Sequence, residues 1–244
     1  MQLQFIGCGD ALGSGGRFNT CFHVTGERAN FLIDCGASSL LALKRFGIAR
    51  EGIDVILITH FHGDHFAGLP FFLLDAQFTR RERPLIIAGP EGIGARLVET
   101  MEALFENSSK TQQKFDLSIV ELQPEQARDF GTFTVTPFPV VHGESGGPFL
   151  AYRVEVEGRT IAYSADTEWT DTLIPAARDA DLFICEAYYY DRIVKNHLSL
   201  KTLEEHLPLL APKKLVLTHL SDDMLARIGS LSHIAASDGM IVEL

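Results

Sequence analysis

Ile53-Asp54-Val55-Ile56-Leu57-Ile58-Thr59-His60-Phe61-His62-Gly63-Asp64-His65 runs from a nearly uncharged, β-branched segment into three imidazoles and a carboxylate within six residues. The apolar run predicts a strand over 54–58 buried on both faces, which delivers the following loop to one edge of a sheet. Neutral imidazole and carboxylate suit zinc, manganese or iron, and Gly63 lets the backbone fold tightly enough for His60 and His62 to share an ion. Asp64 and His65 then point elsewhere, towards a second ion. A merely polar surface loop is the alternative, but four ligand-type residues directly after a core strand argue for metal.

Composition sets the frame around this loop. With 244 residues and 46% apolar content, the chain can bury a full core, and we read residues 1–244 as a single domain of two similar halves. No apolar run is long enough to span a membrane, and Met1-Gln2-Leu3 opens into a strand without a basic leader segment, so a cytoplasmic location without a membrane partner is expected. Cys8, Cys21, Cys35 and Cys185 are widely spaced beside apolar segments and read as small core residues rather than disulfides or a zinc knuckle. Lysine and arginine total 21 against 32 acidic residues, a net charge of −11. Two divalent ions would offset about four of these charges locally. The balance disfavours a broad nucleic-acid surface while leaving room for a local basic patch. A homodimer is compatible with the sequence.

Along the chain, residues 3–6 read as a strand leading into Gly7-Cys8-Gly9-Asp10-Ala11-Leu12-Gly13. The spacing is not G-x-G-x-x-G, and Gly15-Gly16 falls where a phosphate-binding helix should begin, so a dinucleotide loop is rejected. Residues 31–34 form a second strand, and 38–46 a short helix with Leu40, Leu41 and Leu43 inward. A Leu- and Phe-rich helix is expected over 67–78, a strand over 85–88, and a helix over 90–105 with Ile93, Leu97, Met101 and Leu104 on one face. The polar stretch at 107–116 is the expected join between the halves. Strands are then predicted near 117–121, 132–141, 149–156, 159–164, 182–185 and 214–218, and helices near 170–180 and 200–210. Two runs of strands interspersed with helices predict an α/β protein, a β-sandwich covered by helices on its outer faces.

One loop cannot complete two coordination shells, so further ligands must come from later strand ends. His142 follows the apolar run 133–141, Asp166 follows 161–165, and His219 follows 214–218. Singly, each has an ordinary explanation: Asp166 as the cap of a helix starting near Glu168, His142 as a loop histidine, His219 as a hydrogen-bonded strand end. Together they repeat one pattern, an apolar strand followed by a ligand. His23, His206 and His233 lack it and read as structural or exposed.

The His-x-His-x-Asp-His loop, the single His142, Ser164-Ala165-Asp166-Thr167 and Leu217-Thr218-His219 resemble the metallo-β-lactamase superfamily. Phe5-Ile6-Gly7-Cys8-Gly9, Leu32-Ile33-Asp34-Cys35-Gly36, Gly68-Leu69-Pro70 and Asn196-His197-Leu198-Ser199 make the chain most similar to its ribonuclease Z branch and phosphodiesterase relatives. The resemblance implies a four-layer αββα sandwich binding two divalent ions, zinc foremost, with manganese or iron as alternatives. It implies that His60, His62 and His142 hold one ion, that Asp64, His65 and His219 hold the other, and that Asp166 bridges them. It also implies a hydrolase in which a hydroxide between the ions attacks, Asp64 orients it, and His197 assists phosphodiester cleavage as an acid. His197-Leu198-Ser199 precedes a helix, which Ser199 can cap while His197 faces the substrate.

One departure bears on substrate. Ribonuclease Z enzymes that process tRNA carry a protruding arm, inserted in long forms between the positions matching His142 and Asp166. Here 23 residues separate the two, filled by a hairpin turning at Glu157-Gly158. A small or cyclic phosphodiester, or an accessible RNA end, is therefore the expected substrate, with large nucleic acid not favoured. The rival keeps the metals but hydrolyses a carboxylic or sulfuric ester, lactone or thioester. A non-enzymatic metal scaffold is third, since the ligand set is complete. Arg17, Lys195 and Ser221 are compatible with phosphate contact and equally with surface roles.

Overall fold

In the computed structural model, which describes residues 1–244, the chain first runs β1 (Gln2–Gly7), β2 (Cys21–Thr25), β3 (Asn30–Ile33), α1 (Ser39–Arg45), β4 (Val55–Leu57), α2 (Gly63–Phe66), α3 (Leu69–Phe78), β5 (Leu85–Gly89), α4 (Ile93–Leu104) and β6 (Leu117–Glu121). It continues through β7 (Arg128–Asp129), β8 (Thr134–Pro139), β9 (Leu150–Val156), β10 (Arg159–Tyr163), α5 (Leu173–Ala177), β11 (Leu182–Glu186), α6 (Leu200–Leu210), β12 (Leu215–Thr218), α7 (Asp222–Leu225), β13 (Ile234–Ala235) and β14 (Ile241–Glu243). Two seven-stranded sheets result, ordered β14-β1-β2-β3-β4-β5-β6 and β13-β12-β11-β10-β9-β8-β7.

Successive side chains on a strand point to opposite faces, so each central strand feeds two cores. Val55 and Leu57 face the opposite sheet, while Ile56 and Ile58 face α1, α3 and α4. In the second sheet Leu182 and Ile184 point inward, while Phe183 and Cys185 point towards α5 and α6. Three stacked cores separate four layers, the αββα sandwich that the sequence predicts. Between the sheets Phe31 stacks on Phe133 at 4.0 Å and Phe22 meets Tyr163 edge-on at 5.0 Å; such pairs add about 0.5–1.5 kcal/mol beyond area burial.

Strands β3 and β4 are parallel neighbours, as are β10, β11 and β12. Parallel strands end together, which brings their C-terminal loops to one edge. The β9–β10 hairpin turns at Glu157-Gly158 with φ of 50° and 74°, the left-handed pair of a two-residue turn. It leaves no room for an arm between His142 and Asp166.

Some expectations differ from the structure. Leu41 is 64% exposed while Ala42 and Leu43 are buried, because positions two apart on a helix face opposite sides. Helix α4 begins at Ile93 rather than Pro90, and Leu104 at its end is exposed. Residues 107–116 lead into β6, still in the first sheet, so the passage between sheets falls later, between β6 and β7.

Candidate metal centre

The site begins where β3 and β4 end side by side. Asp34, the residue after β3, is fully buried and bends the chain at a φ of 61°. Its carboxylate accepts hydrogen bonds from Thr59 N (2.8 Å), Thr59 Oγ1 (2.9 and 3.0 Å) and His65 Nδ1 (2.7 Å). Backbone contact locks this corner: a Cβ on Gly36 would lie 2.1 Å from the carbonyl oxygen of Asp64, so only glycine lets the two loops touch. The loop after β4 then presents His60 and His62, and the short helix α2 presents Asp64 and His65.

Each imidazole is held from behind, which decides which nitrogen faces forward. Thr59 Oγ1 spends its proton on Asp34 and so accepts from His60 Nδ1 at 3.1 Å, leaving His60 Nε2 bare. His65 Nδ1 donates to Asp34 and His142 Nδ1 donates to the Asn196 carbonyl at 2.6 Å, leaving both Nε2 atoms bare. His62 turns the other way, donating from Nε2 to the Ser145 carbonyl at 3.0 Å, so its Nδ1 is the free atom. That Nδ1 lies 3.1 Å from His142 Nε2. With both protons engaged elsewhere, two lone pairs face each other, an arrangement that a cation between them relieves.

Two adjoining donor groups are His60 with His62 and His142, and Asp64 with His65, Asp166 and His219; a third, His142 with Asp166 and His197, overlaps both, and within each the ligand atoms lie within 4.8 Å of one another. Asp166 Oδ2 is 3.3 Å from His65 Nε2, 3.1 Å from His219 Nε2 and 3.5 Å from His142 Nε2, spanning both groups. His60 Nε2, Asp64 Oδ2, His65 Nε2, Asp166 Oδ1 and His219 Nδ1 are buried without a hydrogen-bond partner. Buried polar atoms are rarely left so, and five in one cluster fit a metal-binding role. Electrostatics agree. Burial, then nearby His65, hold His60 well below the usual imidazole range, and burial holds His142 down to about 4. Burial opposes charge on His65, yet Asp166, Asp64 and Asp34 overcome it and push that imidazole well up. The carboxylates therefore call for a cation at this spot.

Behind the cluster, Glu186 at the end of β11 is fully buried and accepts from His197 Nδ1 at 3.0 Å. Burial works against a charged His197, but the Glu186 carboxylate outweighs it and raises the imidazole to about 9. Tyr188 stacks on the same ring at 4.5 Å. His197 Nε2 is thus the proton-bearing atom free to act. Asp10, Ala11, His62, Asp64, Tyr188, Asn196 and His197 contribute to the walls of an open cavity of about 410 Å³ over the cluster.

All seven residues expected as ligands converge here, together with His197. Asp166 caps no helix, since α5 starts only at Leu173. Ser199 does cap α6, its Oγ accepting from Thr202 N at 3.2 Å. Arg17 instead ties Nη1 to the Ala236 carbonyl at 2.8 Å, and Ser221 donates to the Tyr188 carbonyl. Sequence reading overlooked Asp34 and Glu186 as partners of the site, although both follow apolar strands in the pattern already used for His142, Asp166 and His219. Asp34, Ala165, Asn196 and His219 all have positive φ, a backbone cost of about 1 kcal/mol or more each that concentrates where the site is assembled.

Fold and ligand cluster together define a metal-dependent hydrolase of the metallo-β-lactamase fold. The chain belongs to the family described as Anti-Pycsar protein Apyc1, whose model matches residues 1–236. It is 27% identical over 259 aligned positions to Ribonuclease Z of Agathobacter rectalis, covering 85% of this chain and 84% of that one. It is 26% identical over 193 positions to the probable metallo-hydrolase YhfI of Bacillus subtilis, covering 78% and 73%. Among solved structures, the short form of human tRNase Z superposes with a TM-score of 0.82 at 27% identity, covering 100% of this chain and 99% of that one.

Proposed function

We propose that this protein is a binuclear metal-dependent phosphodiesterase acting on small or cyclic phosphodiesters or accessible RNA ends. The observation that carries the proposal is the cluster of bare, pre-oriented imidazole nitrogens and carboxylates set beside a histidine held protonated by a buried glutamate. His60, His62 and His142 would hold one ion and Asp64, His65 and His219 the other, with Asp166 shared; five imidazoles and two carboxylates favour zinc, while manganese or iron also suits them. Bound divalent ions supply Lewis acidity, lowering the pKa of water towards neutrality and drawing charge from phosphoryl oxygens. Asp64, with one carboxylate oxygen unpaired, orients the attacking water. His197 Nε2 gives its proton to the departing oxygen, while Glu186 keeps the ring in place. An acyl ester, lactone or thioester makes less use of such an acid.

Three features favour a small substrate. The hairpin between His142 and Asp166 carries no arm, and the cavity of about 410 Å³ is of ligand size. The Agathobacter Ribonuclease Z alignment spreads 259 positions over 85% of 244 residues, so roughly fifty positions have no counterpart here, whereas the YhfI alignment, 193 positions over 78%, is nearly free of such gaps. No helix is long and apolar enough to cross a membrane. All four cysteines are buried and unpaired, and we place the protein in the reducing cytoplasm.

The test is His197→Ala. Both ions should remain bound, and turnover should fall roughly 10²–10⁴-fold with an alkoxide leaving group such as a ribose oxygen. With p-nitrophenolate, which needs little protonation, the loss should be modest. An equal loss for both leaving groups removes His197 as the acid and reopens the acyl-ester alternative.

A further inference from the structure

Ahead of α6 the chain reverses in a two-residue turn, Lys195-Asn196, whose flanking residues Val194 and His197 form an antiparallel bridge. Asn196 takes the left-handed position at a φ of 72°, where asparagine is tolerated better than most side chains. Its backbone is fully engaged: the carbonyl accepts from His142 Nδ1 at 2.6 Å, and the N–H donates to Glu168 Oε1 at 2.9 Å. The side-chain carboxamide has no hydrogen-bond partner within the protein. It lies over Gly143, the residue after His142, and a Cβ on that glycine, at a φ of 116°, would come 3.3 Å from Asn196 Nδ2. Glycine at 143 thus gives the carboxamide its place in the wall of the cavity over the metal cluster.

We propose that Asn196 is a catalytic residue, its Nδ2 donating a hydrogen bond to a non-bridging oxygen of the phosphoryl group; the inference rests on the phosphodiesterase reading above. The charge on those oxygens must be met by donors fixed in advance, yet none of the 11 residues lining the cavity is lysine or arginine. Its other side-chain donors are committed. His197 Nε2 serves the departing oxygen, His62 Nε2 donates to the Ser145 carbonyl at 3.0 Å, and the Tyr188 hydroxyl is turned to the Asp10 carboxylate. The imidazoles of the proposed ligand set would offer lone pairs to the ions. What remains is the Asn196 amide, a neutral donor whose own carbonyl seats His142 and whose next residue is the acid. In the reaction the water oxygen bonds to phosphorus, the bond from phosphorus to the leaving oxygen breaks, and the His197 proton passes to that oxygen. The amide keeps both of its protons. Because it holds an oxygen that stays on phosphorus, its contribution does not depend on the leaving group.

Glycine and aspartate both accept a positive φ, so Asn196→Gly and Asn196→Asp keep the carbonyl that seats His142, and each should retain two ions by metal analysis. On bis(p-nitrophenyl) phosphate, kcat/KM should fall roughly 10–100-fold in Asn196→Gly, the worth of one hydrogen bond to a charged group. It should fall further in Asn196→Asp, which sets a carboxylate against the phosphate. A merely structural role gives the reverse order, since aspartate fills the space that glycine empties. The loss in Asn196→Gly should be the same for a diester with an alkoxide leaving group, in contrast to His197→Ala. Inorganic phosphate should bind the metal-loaded Asn196→Gly protein roughly tenfold more weakly than wild type by calorimetry. Full activity in Asn196→Gly, an aspartate variant more active than the glycine one, or a loss that varies with leaving group would overturn the assignment. So would loss of an ion from both variants, which would leave Asn196 only the seating of His142. A wild-type protein that hydrolyses no phosphodiester, but whose phosphate affinity falls in Asn196→Gly, would uphold the amide as an anion donor and sink the phosphodiesterase reading instead.

Discussion

Asp34 and Glu186 act alike on different imidazoles. Each is a fully buried carboxylate at the end of a strand, and each takes an Nδ1–H, from His65 and His197 respectively. Their consequences diverge because His65 offers its bare nitrogen to the ligand cluster whereas His197 presents a proton to the cavity. Glu186→Gln removes the charge that raises His197 and leaves the burial that lowers it. A general acid works only below its pKa, so the basic limb of the kcat profile should move to lower pH, by roughly one to three units; a limb that stays in place would assign that limb to another group. Asp166→Ala should release at least one ion and remove nearly all hydrolysis, since its Oδ2 lies near nitrogens of both donor groups. Metal analysis beside a circular dichroism spectrum checks both halves, and retention of two ions with full activity would take Asp166 out of the site.

At the scale of elements, the strand ends were legible and the supporting loops were not. An apolar run followed by a ligand-type residue can be read directly, because parallel strands share an edge whatever their order. The loop 143–148 gives no such signal, yet it seats His62: a Cβ on Gly146, at a φ of 89°, would lie 2.4 Å from the His62 ring. Gly146→Ala should therefore displace His62 and lower metal affinity by roughly 10–100-fold, the usual cost of losing a ligand's support, while the backbone strain of a Cβ at positive φ lowers the unfolding midpoint of the metal-free protein by roughly 2–4 °C. Calorimetric titration with zinc measures the first and thermal melting in chelator the second. Strands β2, β7, β13 and β14 escaped sequence reading for a related reason. β7 and β13 are two residues long and β14 three, and β2 follows a glycine-rich loop with His23 in its midst; His23 lies buried against Asn30 at 2.8 Å, a satisfied core position that polarity alone disguises.

Across the whole molecule the two sheets share one core, in which Phe5, Phe22 and Phe31 from the first meet Val135, Tyr152 and Tyr163 from the second. Chain connectivity reinforces it, since β14, the last strand, returns to pair with β1. We therefore propose a single cooperative domain over residues 1–244, which should unfold in one transition by calorimetry; two separable transitions would divide it. Metal should shift that transition. At a free concentration a hundredfold above its dissociation constant each of the two ions adds about 2.7 kcal/mol, so a chelator that removes both should lower Tm by roughly 10–20 °C for a chain of this size. The size of the drop should depend on pH with a definite sign. In the metal-free protein, His65 is raised by Asp166, Asp64 and Asp34, so its proton contributes stability that is complete below the unfolded imidazole value and lost as pH rises through the folded one. The same proton competes with metal for Nε2. Both effects make the chelator-induced drop small in acid and larger as pH rises, and a drop that shrinks with rising pH would overturn the ligand assignment of His65.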